Sequence, residues 1–189
     1  MPGKTVAILG TLDTKGAEYA FLRDRIRDAG AATLVIDAGT VGPPAFAPDV
    51  SAAAVAAAGG LPLADLAAAN DRGRAVAVMS AGAAAVARRL LDEGRIDGIV
   101  AMGGGGGTMI GTAAMRALPV GFPKLMVSTL ASGDVSRYVD VKDITMMPSV
   151  VDIAGLNRLS RRIIANAAAA IAGMVLAPPP AAEAGDRPL

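Results

Sequence analysis

The sequence predicts an α/β fold, a Rossmann-like doubly wound parallel sheet, on three observations. Residues 5–9, 96–102 and 124–128 are largely apolar runs that read as strands buried on both faces. Helical patterns alternate with them, which is the element order of a sheet covered by helices on either side. Each of the three runs ends in a Gly, Ser or Thr segment, the composition of a ligand-binding turn at the carboxyl edge of such a sheet.

Taken in order, residues 5–9 form the first strand. Asp13 and Thr14 offer an N-cap to a helix over 16–29, in which Tyr19, Leu22 and Ile26 recur at helical spacing before Gly30 ends it. A strand over 33–37 completes a βαβ unit. Glycines and prolines make 39–48 an irregular loop, after which Ser51 caps an Ala-rich helix that stops at Gly59 and Gly60. A further helix spans 63–70. Residues 74–91 read as one long helix, with a short strand over 75–79 as the competing assignment. The strand over 96–102 precedes five glycines, and Thr108 opens the next helix, which runs through Arg116 and Leu118. The strand over 124–128 is followed by a polar loop, β-like pieces near 138–141 and 144–147, and a final helix over 153–175. A boundary between 59 and 74 would give two lobes, 1–70 and 71–176, with a cleft between them. The Pro- and Ala-rich tail 177–189 reads as a linker.

Composition narrows the chemistry. Hydrophobic residues are 53% of the chain but only three Phe, two Tyr and no Trp are present, so the core is aliphatic. A net charge of +1 supplies no field for a nucleic-acid backbone, and so few aromatics leave no base-stacking platform. Without Cys or His, disulfides, thiolate or imidazole metal sites and histidine acid–base catalysis are excluded; any metal must be a hard cation on oxygen ligands. The apolar run 163–176 is shorter than the roughly 20 residues that span a bilayer. A cytoplasmic address with no membrane partner is the expectation.

The glycines Gly103, Gly104, Gly105, Gly106 and Gly107, followed by Thr108, stand between a strand and a helix. Lacking Cβ atoms, they let backbone N–H groups converge on a phosphate at the positive end of the helix; the alternative is a tightly packed turn. The run does not match the P-loop pattern GxxxxGK[ST]. After the first strand, Gly10, Thr11, Asp13, Thr14 and Lys15 occupy the corresponding place. Lys15 could neutralise phosphate and Asp13 could hold Mg²⁺, or the segment is a helix cap with Lys15 in solvent. Asp37 ends the second strand where a Rossmann fold contacts a ribose hydroxyl, though a turn-forming Asp fits equally. Ser128, Thr129, Ser132, Gly133 and Asp134 could close the pocket from the opposite wall. Asp140, Asp143 and Asp152 are isolated carboxylates suited to capping or to joining a metal site. Arg158, Arg161 and Arg162 read as a solvated helix face.

On three segments, TVAILGTLDTKGAEYAFLRDRI, MGGGGGT and STLASGDVSRYVDVKDITMMPSVVDIAGLNRLSRRIIANAAAAIAGM, the chain resembles the Tm-one-like ATP-binding domain proteins, formerly an uncharacterised family. The likeness covers residues 4–176. It implies ATP binding between segments 10–16, 103–108 and 128–134, a dimeric assembly, and a barrel-like second domain after the linker. Adenine-nucleotide binding is therefore the leading functional expectation. An enzyme half catalysing Mg²⁺-dependent nucleotide hydrolysis or phosphoryl transfer with Asp13 and Lys15 is the alternative. An NAD-dependent oxidoreductase comes third, since no acidic residue ends a strand roughly 20 residues after the glycine run.

Overall fold

A computed structural model describes residues 3–178; all but the first two positions of the expected linker lie outside the described residues. The elements are β1 (Thr5–Gly10), α1 (Leu12–Asp28), β2 (Ala32–Asp37), α2 (Ala52–Ala58), α3 (Leu63–Ala69), α4 (Arg72–Asp92), β3 (Gly98–Gly103), α5 (Gly105–Arg116), β4 (Lys124–Ser128), α6 (Ser136–Val139), β5 (Thr145–Pro148) and α7 (Arg158–Leu176). One five-stranded, all-parallel sheet has the order β2-β1-β3-β4-β5. The doubly wound architecture is as the sequence predicts. The proposed halves are not parted within the sheet, because β1 pairs directly with β3 from Val6↔Gly98 to Leu9↔Ala101.

β1, β3 and β4 are buried on both faces, β2 is buried from Leu34 onward and β5 forms a half-exposed edge, so the sheet separates two aliphatic clusters. On one side Val6, Ile8, Val100 and Val127 meet Leu22 and Ile26 of α1 and Ile164 and Ile171 of α7. On the other, Ala7, Leu9, Ile99 and Met126 meet Val55 of α2, Met79 and Val86 of α4, and Ile110 and Met115 of α5. α4 is the long helix rather than a strand, because Ala75, Met79, Ala83, Val86, Ala87 and Leu90 bury one helical stripe. α7 has 19 residues and a mean hydropathy of 1.4, long and apolar enough by composition to cross a membrane; here its apolar stripe lies against α1 and the sheet.

Four elements depart from expectation in type or by more than two residues. α1 opens with a turn at Leu12 and kinks at Lys15, whose φ is −132°, before the expected helix continues from Gly16. α5 starts at Gly105 rather than Thr108, so much of the glycine run is helix. Residues 138–141 carry the end of the short helix α6, not a strand. α7 starts at Arg158, where the Asn157 and Ser160 side chains form a reciprocal capping box; that cap, absent at residue 153, sets the boundary.

The chain lays β2 to one side of β1 and then crosses to lay β3 on the other, so the direction of winding reverses between β1 and β3. Their pairing stops at Leu9↔Ala101. Beyond it the main chain of Met102 is satisfied by Tyr19: the phenol donates to the Met102 carbonyl at 2.5 Å and accepts its N–H at 2.9 Å. Burial, the largest influence, drives the phenol pKa upward, so it stays a neutral donor. Gly10 makes room for it, since a Cβ there would lie 1.8 Å from Tyr19 Cζ. Tyr19→Phe is expected to cost about 1–3 kcal/mol, the penalty for orphaning a buried polar pair, measured as a lowered urea midpoint with unchanged slope.

Candidate functional site

Where β1 and β3 part, a cleft of about 590 Å³ opens at the carboxyl edge of the sheet, the place where open α/β sheets take ligands. Thr11, Asp13 and Thr14 follow β1 into it, and Thr40 and Val41 enter from the loop after β2. Arg72 opens α4, and Gly106 and Gly107 lie in the first turn of α5. Three helix N-termini, of α1, α4 and α5, thus face one cavity, and their partial positive charges favour an anion there. Leu66, Ala75, Val76, Met79 and Ile110 supply an apolar wall.

The first turn of α5 carries unpartnered donors. Thr108 is the first residue to bond back into the helix, its N–H lying 2.8 Å from the Gly104 carbonyl, which leaves the N–H groups of Gly105, Gly106 and Gly107 without helical partners. The five glycines are not equivalent. A Cβ on Gly103 would sit 2.8 Å from Gly107 Cα, so packing demands that glycine, and one on Gly107 would sit a tight 3.2 Å from the Met102 carbonyl. At Gly104 and Gly106 a Cβ would meet nothing closer than 3.6 and 3.4 Å, and at Gly105 nothing within 4 Å. None of these three has positive φ. Gly105 and Gly106 are helical glycines for which the fold has no steric need.

The remaining predicted residues divide. Asp13 Oδ2 accepts the N–H groups of Val41 and Gly42 at 2.8 and 3.3 Å, tying down the loop after β2, while its Oδ1 is buried with no partner among the described residues. Such an oxygen is costly unless a ligand donor or cation completes it. Asp37 is buried, and its Oδ1 accepts from Leu12 N–H at 3.1 Å and Gly39 N–H at 2.9 Å, so that oxygen clasps the two loops together. Lys15 points away from the cleft and donates to the Ile153 carbonyl. Thr108 is buried, its hydroxyl 2.8 Å from the Gly104 carbonyl and 2.7 Å from Ser128 Oγ, and Ser128 Oγ also accepts Leu130 N–H at 3.0 Å. Both hydroxyls hold loops. Thr129 and Ser132 line a separate depression, and Asp134, exposed, caps Ser136 N–H at 2.9 Å, which holds its carboxyl below the usual range.

Sequence reasoning missed Arg72, whose guanidinium lies 4.0 Å from the Cβ position of Gly106 and makes no hydrogen bond or ion pair among the described residues. Its signal was available: Asp71 caps Arg74 N–H at 3.0 Å, and an N-cap Asp fixes where the next residue stands. Glu18 was missed too; it is buried on α1 and accepts Gly155 N–H at 2.5 Å. Of the isolated carboxylates, Asp143 pairs with buried Lys124 at 2.8 Å. Arg161 stacks 5.2 Å over the Phe21 ring.

Burial raises the pKa of Asp37 above the ordinary carboxylate value, against the lowering effect of the Gly39 and Leu12 amides. A folded-state pKa above the unfolded one means that the native state binds the proton more tightly, so stability declines as pH rises from about 4 through the folded value. Asp37→Asn keeps an oxygen acceptor without the charge. Its stability relative to the parent is therefore expected to improve between pH 4 and pH 7, read from urea midpoints at each pH.

Comparisons with known proteins bear on this geometry. Residues 4–180 match the model described as the uncharacterised protein family (UPF0261) N-terminal domain. A UPF0261 protein of Clostridium tetani is 52% identical over 98% of this chain and 46% of its own length, and one of Rhizobium meliloti is 50% identical over 98% and 45%. The ToMV resistance protein Tm-1(GCR237) of Solanum lycopersicum is 43% identical over 57% of this chain and 14% of its own length. The chain spans about half the length of the bacterial relatives it matches. With a match that runs through every strand of the sheet and both walls of the cleft, the chain belongs to the UPF0261 family, as its N-terminal domain.

Proposed function

We propose that this domain binds ATP in the β1/β3 cleft, with the phosphates on the first turn of α5 and Arg72 and the base against Leu66, Val76, Met79 and Ile110. Gly105 and Gly106 support this most directly. Helical glycine costs about 1 kcal/mol relative to alanine, and where no neighbour forbids a Cβ the bareness serves something outside the chain, the close approach of an anion. The buried, unpartnered Oδ1 of Asp13 suits Mg²⁺ or a ligand hydroxyl. Adenine is the base the family resemblance implies, and that resemblance likewise carries the proposal of a dimer with a barrel-like second half; a cytoplasmic address is proposed on the reading of the residues alone.

Binding is favoured over phosphoryl transfer because Lys15, the cation that such chemistry would use, is engaged by the Ile153 carbonyl. It is favoured over NAD binding because no acidic residue ends a strand roughly 20 residues after the glycine run.

A thermal-shift panel of ATP, ADP, GTP, NAD and sugar phosphates, with and without Mg²⁺, tests this. ATP at 100 times its Kd is expected to add about 2.7 kcal/mol, and no stabilisation by any triphosphate would refute the proposal. Gly105→Ala and Gly106→Ala are expected to leave the melting temperature of the ligand-free protein unchanged or higher while weakening ATP binding. Arg72→Glu should weaken ATP by about 1.5–3 kcal/mol, the range for a charge-assisted hydrogen bond, with the fold intact. Phosphate release that disappears in Asp13→Ala would establish turnover instead.

A further inference from the structure

A second depression, of about 450 Å³, lies at the carboxyl ends of β4 and β5, within the size range of small-molecule sites. Ser128, Thr129 and Ser132 form one wall and residues 148–152 the other. Its wall is firmly held. Ser149 N–H bonds the Ser128 carbonyl at 3.0 Å, Lys15 donates to the Ile153 carbonyl, and Gly155 N–H is held by Glu18. On the rim Val150 has φ +64° and is 76% exposed, an unfavourable backbone for a β-branched residue and an unfavourable place for its side chain. Strain of this kind persists only where the surroundings impose it.

The chemistry of the lining is selective. Ser128 Oγ is committed to Thr108 and Leu130, and Ser149 Oγ donates to the Val151 carbonyl at 2.6 Å. The side chains of Thr129, Ser132 and Asp152 make no hydrogen bond among the described residues, leaving two hydroxyls and a carboxylate for a ligand. Among the described residues that line the depression none is basic, so an anion would meet the Asp152 charge without compensation. The depression lies beside the first turn of α5. Gly107 and Gly106 line the cleft, Thr129 lines the depression, and between them a Cβ on Gly104 would approach Thr129 Oγ1 no closer than 3.6 Å while one on Gly105 would meet nothing.

We propose that this depression is a second ligand site, for a small hydroxyl-rich compound without negative charge, held by Thr129, Ser132 and Asp152 beside the first turn of α5. Its hydroxyls donate to the Asp152 carboxylate and exchange hydrogen bonds with the two side-chain hydroxyls, while Val150 and Pro148 cover its carbon face. The site stands on its own lining and does not require that the neighbouring cleft hold ATP.

The test is saturation-transfer NMR on the full chain with ribitol as the neutral probe and ribonate, its carboxylate counterpart, as the charged one, each with and without ATP. Ribitol signals are expected to saturate and ribonate signals not. Asp152→Ala and Thr129→Val should each weaken ribitol by about tenfold, the equivalent of one lost hydrogen bond to a charged or well-aligned group, with unchanged melting temperature. No transfer to ribitol, equal transfer to ribonate, or ribitol binding that both variants leave untouched would overturn the proposal. ATP stabilisation measured on the same samples separates the two sites: ribitol binding without ATP binding refutes the nucleotide reading alone, and the reverse refutes this one alone.

Discussion

The parting of β1 from β3 is the constraint on which the rest of the molecule depends. Two parallel strands that separate leave main-chain groups that must find partners or be exposed, and here the Tyr19 hydroxyl takes both the N–H and the carbonyl of Met102. Because the ring of Tyr19 needs the space that a side chain on residue 10 would fill, Gly10 and Tyr19 act as one unit. The strand ends are thereby fixed on either side of an opening rather than closing into a continuous ladder. Asp37 makes the complementary connection one strand over, bonding the turn after β1 to the turn after β2.

From that opening the electrostatics follow. Helices that start at the carboxyl edge aim unpaired amides into the cleft, and carboxylates brought there by Asp13 and Asp71 would oppose an anion if they were unbonded. Instead Asp71 caps α4 and one oxygen of Asp13 is bound to two amides of the loop after β2. Arg72 is left as a cation beside the glycines of α5.

The sheet was legible because each of its first four strands is a buried aliphatic run bounded by turn residues, and no tertiary contact had to override that pattern. The glycine run was legible as a special segment but not as a helical turn, since glycine carries no helix signal of its own; only the bonding of Thr108 N–H to the Gly104 carbonyl reveals the turn. Residue type also misled where a side chain is long or buried. Lys15, Thr108 and Ser128 are right for phosphate contacts by chemistry, yet Lys15 is engaged by the Ile153 carbonyl and the Thr108 and Ser128 hydroxyls meet each other, contacts that no local window contains. The separation of Thr129 and Ser132 from the first cleft is likewise a matter of strand order, because β4 and β5 carry those residues away from the β1/β3 opening.

Beginning a helix with Gly105, Gly106 and Gly107 has a consequence for its motion. Glycine loses more conformational freedom on ordering than any other residue, so this end of α5 unwinds more readily than an alanine start would. Solvent should then exchange the amide hydrogens of that turn quickly in the empty protein and slowly once they are engaged. Under the proposed nucleotide binding, the entropy of winding the turn is lost only on binding, which tempers affinity and makes release easier than the number of donors alone would suggest.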